Sequence, residues 1–391
     1  MQARVLLMVA LLTAALTGLP LLGVWLDGQA LAPYLRFPPD LTPRPAPPFS
    51  WLRFVSLALL VLAALAPFLW VIGRSVAKLT PAQPPLRRLP WWGWLGLALM
   101  LLSWWLAWTR YPWLQQWQAY TYTPIWLGYI VLINALCLRR TGYSLLSHRP
   151  WLLLALFPVS ALFWWFFEYL NRFVVNWYYL SAQEPSAAAY LIAGSLPFST
   201  VLPAVLSTRD WLASFPAVYA GLGDAWRPPS PAPRRLAALA LAVAALGLVA
   251  LPLWPDLLYP LLWLAPLVLA IALQALLGRP HLLTPLRRGD WRPIWLAALA
   301  ALLCGLLWEM WNWHSLARWE YAVPYVHRFE IFEMPLLGYA GYLPFGLQCV
   351  AAATLFFGAR WELMYGPARA YLRTPSITKC RSMASASGPR L

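Results

Sequence analysis

An all-α, polytopic transmembrane bundle is the fold class the sequence predicts, and three observations predict it. Hydrophobic residues make up 61% of the 391 and charged residues only 11%, against about 25% charged in an ordinary soluble domain. Mean hydropathy is +0.60, and 27 residues are Trp. The apolar residues gather into ten runs of membrane-crossing length, since a helix needs about 20 of them to cross the hydrocarbon core. The basic residues collect between alternate runs. Such a chain is not a soluble globular protein.

In chain order the runs are 5–26, 51–72, 91–109, 121–138, 151–171, 187–207, 236–254, 257–277, 293–313 and 335–358. The first follows Arg4 and precedes Ala30-Leu31-Ala32, the outline of a signal peptide. Its apolar part exceeds the usual 7–15 residues, so an uncleaved anchor is expected. Pro67, Pro158, Pro197, Pro203, Pro266 and Pro344 fall inside runs. Neighbouring groups in a bundle satisfy the carbonyls that such prolines free. The seventh and eighth runs are joined only by Trp-Pro-Asp, which reads as a tight external turn. Residues 359–391, with their Ser-Met-Ala-Ser-Ala-Ser-Gly ending, are expected to form a disordered cytoplasmic tail.

Orientation follows from charge. With the N-terminus inside and sides alternating, 22 of the 29 Lys and Arg fall on the inner side, as the positive-inside rule requires. Nine of the 13 acidic residues lie on or near the outer side. The net charge of +16 is therefore a topology signal with attraction to anionic lipid, not a nucleic-acid surface. The expected location is a bacterial-type inner membrane, with both termini cytoplasmic and membrane lipids as partners.

Self-comparison finds an internal repeat. Glu168-x-x-Asn171 followed by Trp177-x-Tyr179 matches Glu309-x-x-Asn312 followed by Trp319-x-Tyr321. Gly194-Ser195-Leu196-Pro197-Phe198 answers Gly341-Tyr342-Leu343-Pro344-Phe345, and Arg87-Arg88 and Arg149-Pro150 answer Arg234-Arg235 and Arg292-Pro293. Offsets run from 141 to 147. A chance match in a Leu- and Trp-rich chain is the competing explanation, and four matches in the same order argue against it. The organisation expected is a two-span segment (1–80), a four-span repeat (81–210), a second (228–358) and the tail. An even number of spans gives both copies one orientation, hence a pseudo-twofold axis along the membrane normal.

Ionisable groups inside spans need a reason. Glu168 and Asn171 share one helical face, as do Glu309 and Asn312. Packed symmetrically, the two carboxylates would face a shared outward-open cavity, with the asparagines orienting them. A carboxyl group sheltered from water is a proton donor held near neutral pH. The structural alternative is that each Glu merely bonds an Asn, an indole or a loop, with Arg172 and Arg318 as ion-pair partners. Trp177, Tyr179, Trp308, Trp319 and Tyr321 complete the candidate binding set, with Pro197 and Pro344 as matching breaks. Interfacial belts account for most Trp residues. An aromatic cavity for an apolar or cationic ligand is the alternative, strongest at Trp164, Trp308 and Trp311.

His327, Glu330 and Glu333 would share a helical face and, with His314, offer a weak external metal site. Glu333 before Met334-Pro335 reads equally as an N-cap. Four cysteines without close spacing exclude a disulfide framework or zinc finger. No nucleotide, hydrolase or metalloprotease motif appears, and no cofactor is called for. The function expected is binding or modification of an amphipathic lipid or isoprenoid-like ligand at an outward site built by both Glu/Asn pairs. A proton-coupled transporter and a non-catalytic scaffold stay open, as does whether the protein is an enzyme.

Overall fold

The computed structural model describes residues 2–41, 45–79, 86–180, 186–229 and 233–358; the tail expected at 359–391 lies outside them. The chain is mostly helical with little sheet. Eleven longer helices run α1 Gln2–Leu26, α2 Trp51–Val76, α3 Trp91–Trp108, α4 Tyr122–Thr141, α5 Pro150–Val174, α6 Ala187–Phe198, α7 Val201–Leu212, α8 Arg234–Ala250, α9 Leu261–Leu276, α10 Arg292–Asn312 and α11 Tyr342–Phe357. Two short antiparallel ladders join β1 Trp177–Leu180 to β2 Arg318–Tyr321 and β3 Glu330–Ile331 to β4 Met334–Pro335.

Among the described residues, seven helical segments are long and apolar enough to cross a membrane. Helices also fill the other three runs, but α3, α8 and α9 have 18, 17 and 16 residues. At 1.5 Å per residue they fall short of the roughly 30 Å hydrocarbon core. Pro255 and Pro260 explain part of this, because each stands at or before the start of a new helix and ends the chain's previous direction.

The run at 187–207 is not one helix. It breaks at Ser199–Thr200 into α6 and α7, two residues after Pro197. Ser160 of α5 repairs the break: its hydroxyl donates to the Phe198 carbonyl (2.6 Å) and accepts from the Leu202 amide (2.9 Å). Pro344 breaks nothing, since it occupies the first turn of α11, where a missing N–H is harmless. A 3-10 segment, Leu336–Gly341, supplies the first part of that run.

Close helix approach is set by glycine. A Cβ on Gly96 or Gly128 would strike the backbone of the other helix in the α3–α4 pair, and one on Gly346 would strike the Ala297 carbonyl of α10. At the centre lies α7, buried continuously from Val201 to Arg209. At the other extreme α2 has no buried residue. Its ends are nevertheless fastened. Ser50 donates its amide to the Tyr325 carbonyl (2.8 Å), Arg53 sits 3.3 Å over the Tyr325 ring, and Phe68 stacks on Trp295.

Loops meet at two opposite ends. At one, Arg172 donates to the carbonyls of Tyr34 and Arg36, Arg110 to that of His314, and Trp108 to that of Trp311. At the other, Arg87 donates its amide to the Arg139 carbonyl, Arg140 its side chain to Ser214, and Ala225 its amide to Gly289. Exposed Trp25, Trp51, Trp91, Trp94, Trp105, Trp113, Trp117 and Trp151 lie on the outside of the molecule.

Candidate functional site

The last turn of α5 ends in an abrupt reversal. Val175 takes a left-handed conformation (φ 50°), a strained one for a β-branched residue. Asn171 holds it: its Oδ1 accepts from the Asn176 amide and its Nδ2 donates to the Trp177 carbonyl, both at 2.8 Å. Asn312 serves β2 in the same way, donating to the Trp319 carbonyl (2.8 Å) and accepting from its amide (2.9 Å). Neither Asn bonds a Glu, so the orienting role expected for them is corrected. They steer backbone, because a two-ended amide satisfies a peptide group that the helix end leaves unpaired.

The carboxylates lie deeper than expected. Glu168 and Glu309 are buried, at 2% and 0% exposure. Glu168 Oε1 accepts from Trp164 Nε1 (2.9 Å), Trp177 Nε1 (3.1 Å) and Tyr179 Oη (2.6 Å). Glu309 Oε1 accepts from Tyr321 Oη (2.7 Å) and Tyr342 Oη (2.6 Å), and Trp319 Nε1 donates to Tyr321 Oη (2.7 Å). In both residues Oε2 is buried without a partner among the described residues. Burial also pushes the hydroxyls of Tyr179 and Tyr321 well above the usual tyrosine range, so both stay donors.

Between the two carboxylates lies a cavity of about 400 Å³, within the usual size of a small-molecule site. Its wall includes Trp164, Trp177, Tyr179, Trp308, Trp319, Tyr321, Tyr342 and Trp263, with Pro197 and Pro344 at its edge and Leu57 and Val61 of α2 across from them. The glutamates do not line it. Their aromatic donors stand between carboxylate and cavity, which replaces the expectation of two carboxylates facing open space. Trp311 is core, packed 4.8 Å from Trp126.

The chain matches no family model, no curated protein and no solved structure.

The basic candidates are occupied elsewhere. Arg172 binds loop carbonyls and Arg318 pairs with Glu320 at 3.1 Å. The segment around His327 is a β-hairpin rather than a helix, with Phe329 and Phe332 at positive φ. His327 Nε2 lies 3.1 Å from Glu330 Oε1, while His314 lies against the Trp313 ring at 4.1 Å. Among the described residues no group of three or more ligands is placed to hold a metal ion. Glu333 caps no helix; the 3-10 segment starts after Pro335 without a side-chain cap.

Two members of the site carry weak sequence signals. Tyr342 stands in the Gly-x-Leu-Pro-Phe match, but its counterpart Ser195 hid a phenol's role; Ser195 instead accepts from Trp165 Nε1 at 2.9 Å. Trp263 belongs to no motif. It reaches the cavity by stacking on Phe167 (5.3 Å).

Proposed function

We propose that this is an inner-membrane protein of ten spans, built from two parallel four-span repeats, whose shared outward cavity binds or modifies an amphipathic lipid or isoprenoid-like ligand. One observation carries the reading: the aromatic cavity is walled from both halves by residues that an equivalent set of bonds fixes to Glu168 and Glu309. An apolar wall with a few convergent polar groups behind it suits a ligand drawn from the bilayer.

The ladder supports the repeat. An offset of 142 residues carries Tyr178 onto Glu320, and the ladder pairs these two residues with each other. The same offset carries Trp177 onto Trp319 and Tyr179 onto Tyr321, while the ladder pairs Trp177 with Tyr321 and Tyr179 with Trp319. Such self-complementary pairing is what an axis normal to the ladder produces. The loop contacts support alternating spans: each bond described at either end joins segments that alternation assigns to one side.

The test is mass spectrometry of small molecules that copurify with the wild type and with a folded Glu168→Gln/Glu309→Gln variant. A lipid or isoprenoid present in the first and depleted in the second supports the reading; identical profiles overturn it. The helix break at Ser199–Thr200 beside the cavity favours a second reading, proton-coupled transport. Reconstituted vesicles under a pH gradient would then accumulate the copurifying compound, and the same variant would not.

A further inference from the structure

We infer that the cavity selects a positively charged centre, the quaternary ammonium group of an amphiphile. The inference rests on the reading of the cavity as a ligand site and specifies its chemistry. Aromatic rings carry a negative face and a positive edge. Here the edges are committed: Trp164 and Trp177 turn their N–H groups, and Tyr179, Tyr321 and Tyr342 their O–H groups, to the two buried carboxylates. The carboxylates are outside the wall, so what these rings offer the cavity is carbon surface. Aromatic carbon surface of this kind holds a methylated ammonium ion where a ring turns its face to it.

Charge points the same way. In a chain of net charge +16, no Lys, Arg or His lines the cavity among the described residues. Arg172, one turn beyond Glu168, donates Nη1 to the Tyr34 and Arg36 carbonyls while its Nε has no partner among the described residues, and Arg53 lies over Tyr325. Among the lining residues and the two glutamates, the buried side-chain atoms without a partner are acceptors: Glu168 Oε2, Glu309 Oε2 and the side-chain oxygen of Asn176, which lines the cavity. An anionic headgroup would meet aromatic carbon backed by two carboxyl groups, with no basic counter-charge among the described lining residues. A cation meets two carboxyl groups through one layer of polarised rings, where water screens little, and its own charge favours their ionised form.

Equilibrium dialysis of the full chain in a non-ionic maltoside detergent tests this with two soluble probes of one shape. Choline carries the charge, and 3,3-dimethylbutan-1-ol replaces its nitrogen with carbon. The expected result is at least ten-fold tighter binding of choline, with that preference reduced several-fold in Glu168→Gln/Glu309→Gln while the neutral probe binds unchanged. Equal affinity for the two probes in the wild type overturns the inference, and needs no variant to fold. In that case a lipid still copurifying with the wild type leaves the ligand-site reading standing. No binding of either probe also overturns the inference, and absence of any copurifying lipid then removes the site with it.

Discussion

Single residues fix the outer turns. Asn171 and Asn312 each satisfy two backbone groups in a buried place, and an unpaired buried group costs about 1–3 kcal/mol. Asn312→Ala is therefore expected to lower stability by about 2 kcal/mol, read as a lower denaturation midpoint in detergent, without changing ligand chemistry. Tyr342→Phe keeps the ring but removes one of the two hydroxyls on Glu309. It should weaken ligand retention more than Tyr339→Phe, whose hydroxyl serves the Ile331 carbonyl of the outer hairpin; the ligand content of the two purified proteins checks this. The spacing Glu-x-x-Asn was legible in sequence because it repeats. The true partner of each Asn was not, since a helix face says nothing of the backbone that turns back beyond it.

Elements pack by what their glycines leave out. Gly128→Ala adds a methyl group against the Met100 and Gly96 backbone, and overpacking of that kind costs about 1–3 kcal/mol. Gly18 of α1 and Gly73 of α2 have open space at the same position, so Ala there should hold or raise the melting midpoint by the helix preference of about 0.5–1 kcal/mol. Differential scanning fluorimetry of the three variants separates the cases. Helix existence was legible from run length alone. The break after Pro197 depended on a distant partner, Ser160, which no local pattern announces. Pro344, matched to Pro197 in sequence, ends up harmless because it falls three residues into its helix rather than near its end. At 327–333 the periodicity fitted a helix, and two aromatics at positive φ with Pro335 made a hairpin instead.

The whole molecule presents two unlike ends, and its orientation is open to direct test. Cys137, Cys304 and Cys349 are buried and unpaired, so with Cys380 replaced by Ser a single introduced cysteine dominates labelling. With the termini inside, Glu330→Cys should react with a membrane-impermeant maleimide added to spheroplasts, and Arg288→Cys only after lysis. The reverse pattern refutes the orientation. The end that carries the β3–β4 hairpin is expected to respond to pH. Burial, with Glu320 and Glu330 beside it, holds the Glu333 carboxyl above the ordinary carboxylate range, partly offset by Arg318 and His314. A raised carboxyl contributes stability below its unfolded value and loses it as pH rises through the folded one. Glu333→Gln should thus match the wild type in acid and gain on it toward neutral pH, as parallel melts would record. Charge asymmetry was plain in the sequence; which loops meet was not, since it depends on tertiary contacts spanning up to 204 residues.

One helix of the bundle, α2, is held mainly toward its two ends, by Ser50 and Arg53 at one and by Phe68, Val71 and Ile72 toward the other. Along its middle, where Leu57 and Val61 close one side of the cavity, α2 makes no side-chain hydrogen bond or ion pair among the described residues. Bending a helix held in this way is cheapest at mid-span. On the proposed reading, acyl chains pressing on its free faces would set how often the cavity communicates with the hydrocarbon, and a ligand would exchange sideways without passing through water. Bilayer composition would then control occupancy, acting through Leu57 and Val61, which carry none of the recognition chemistry.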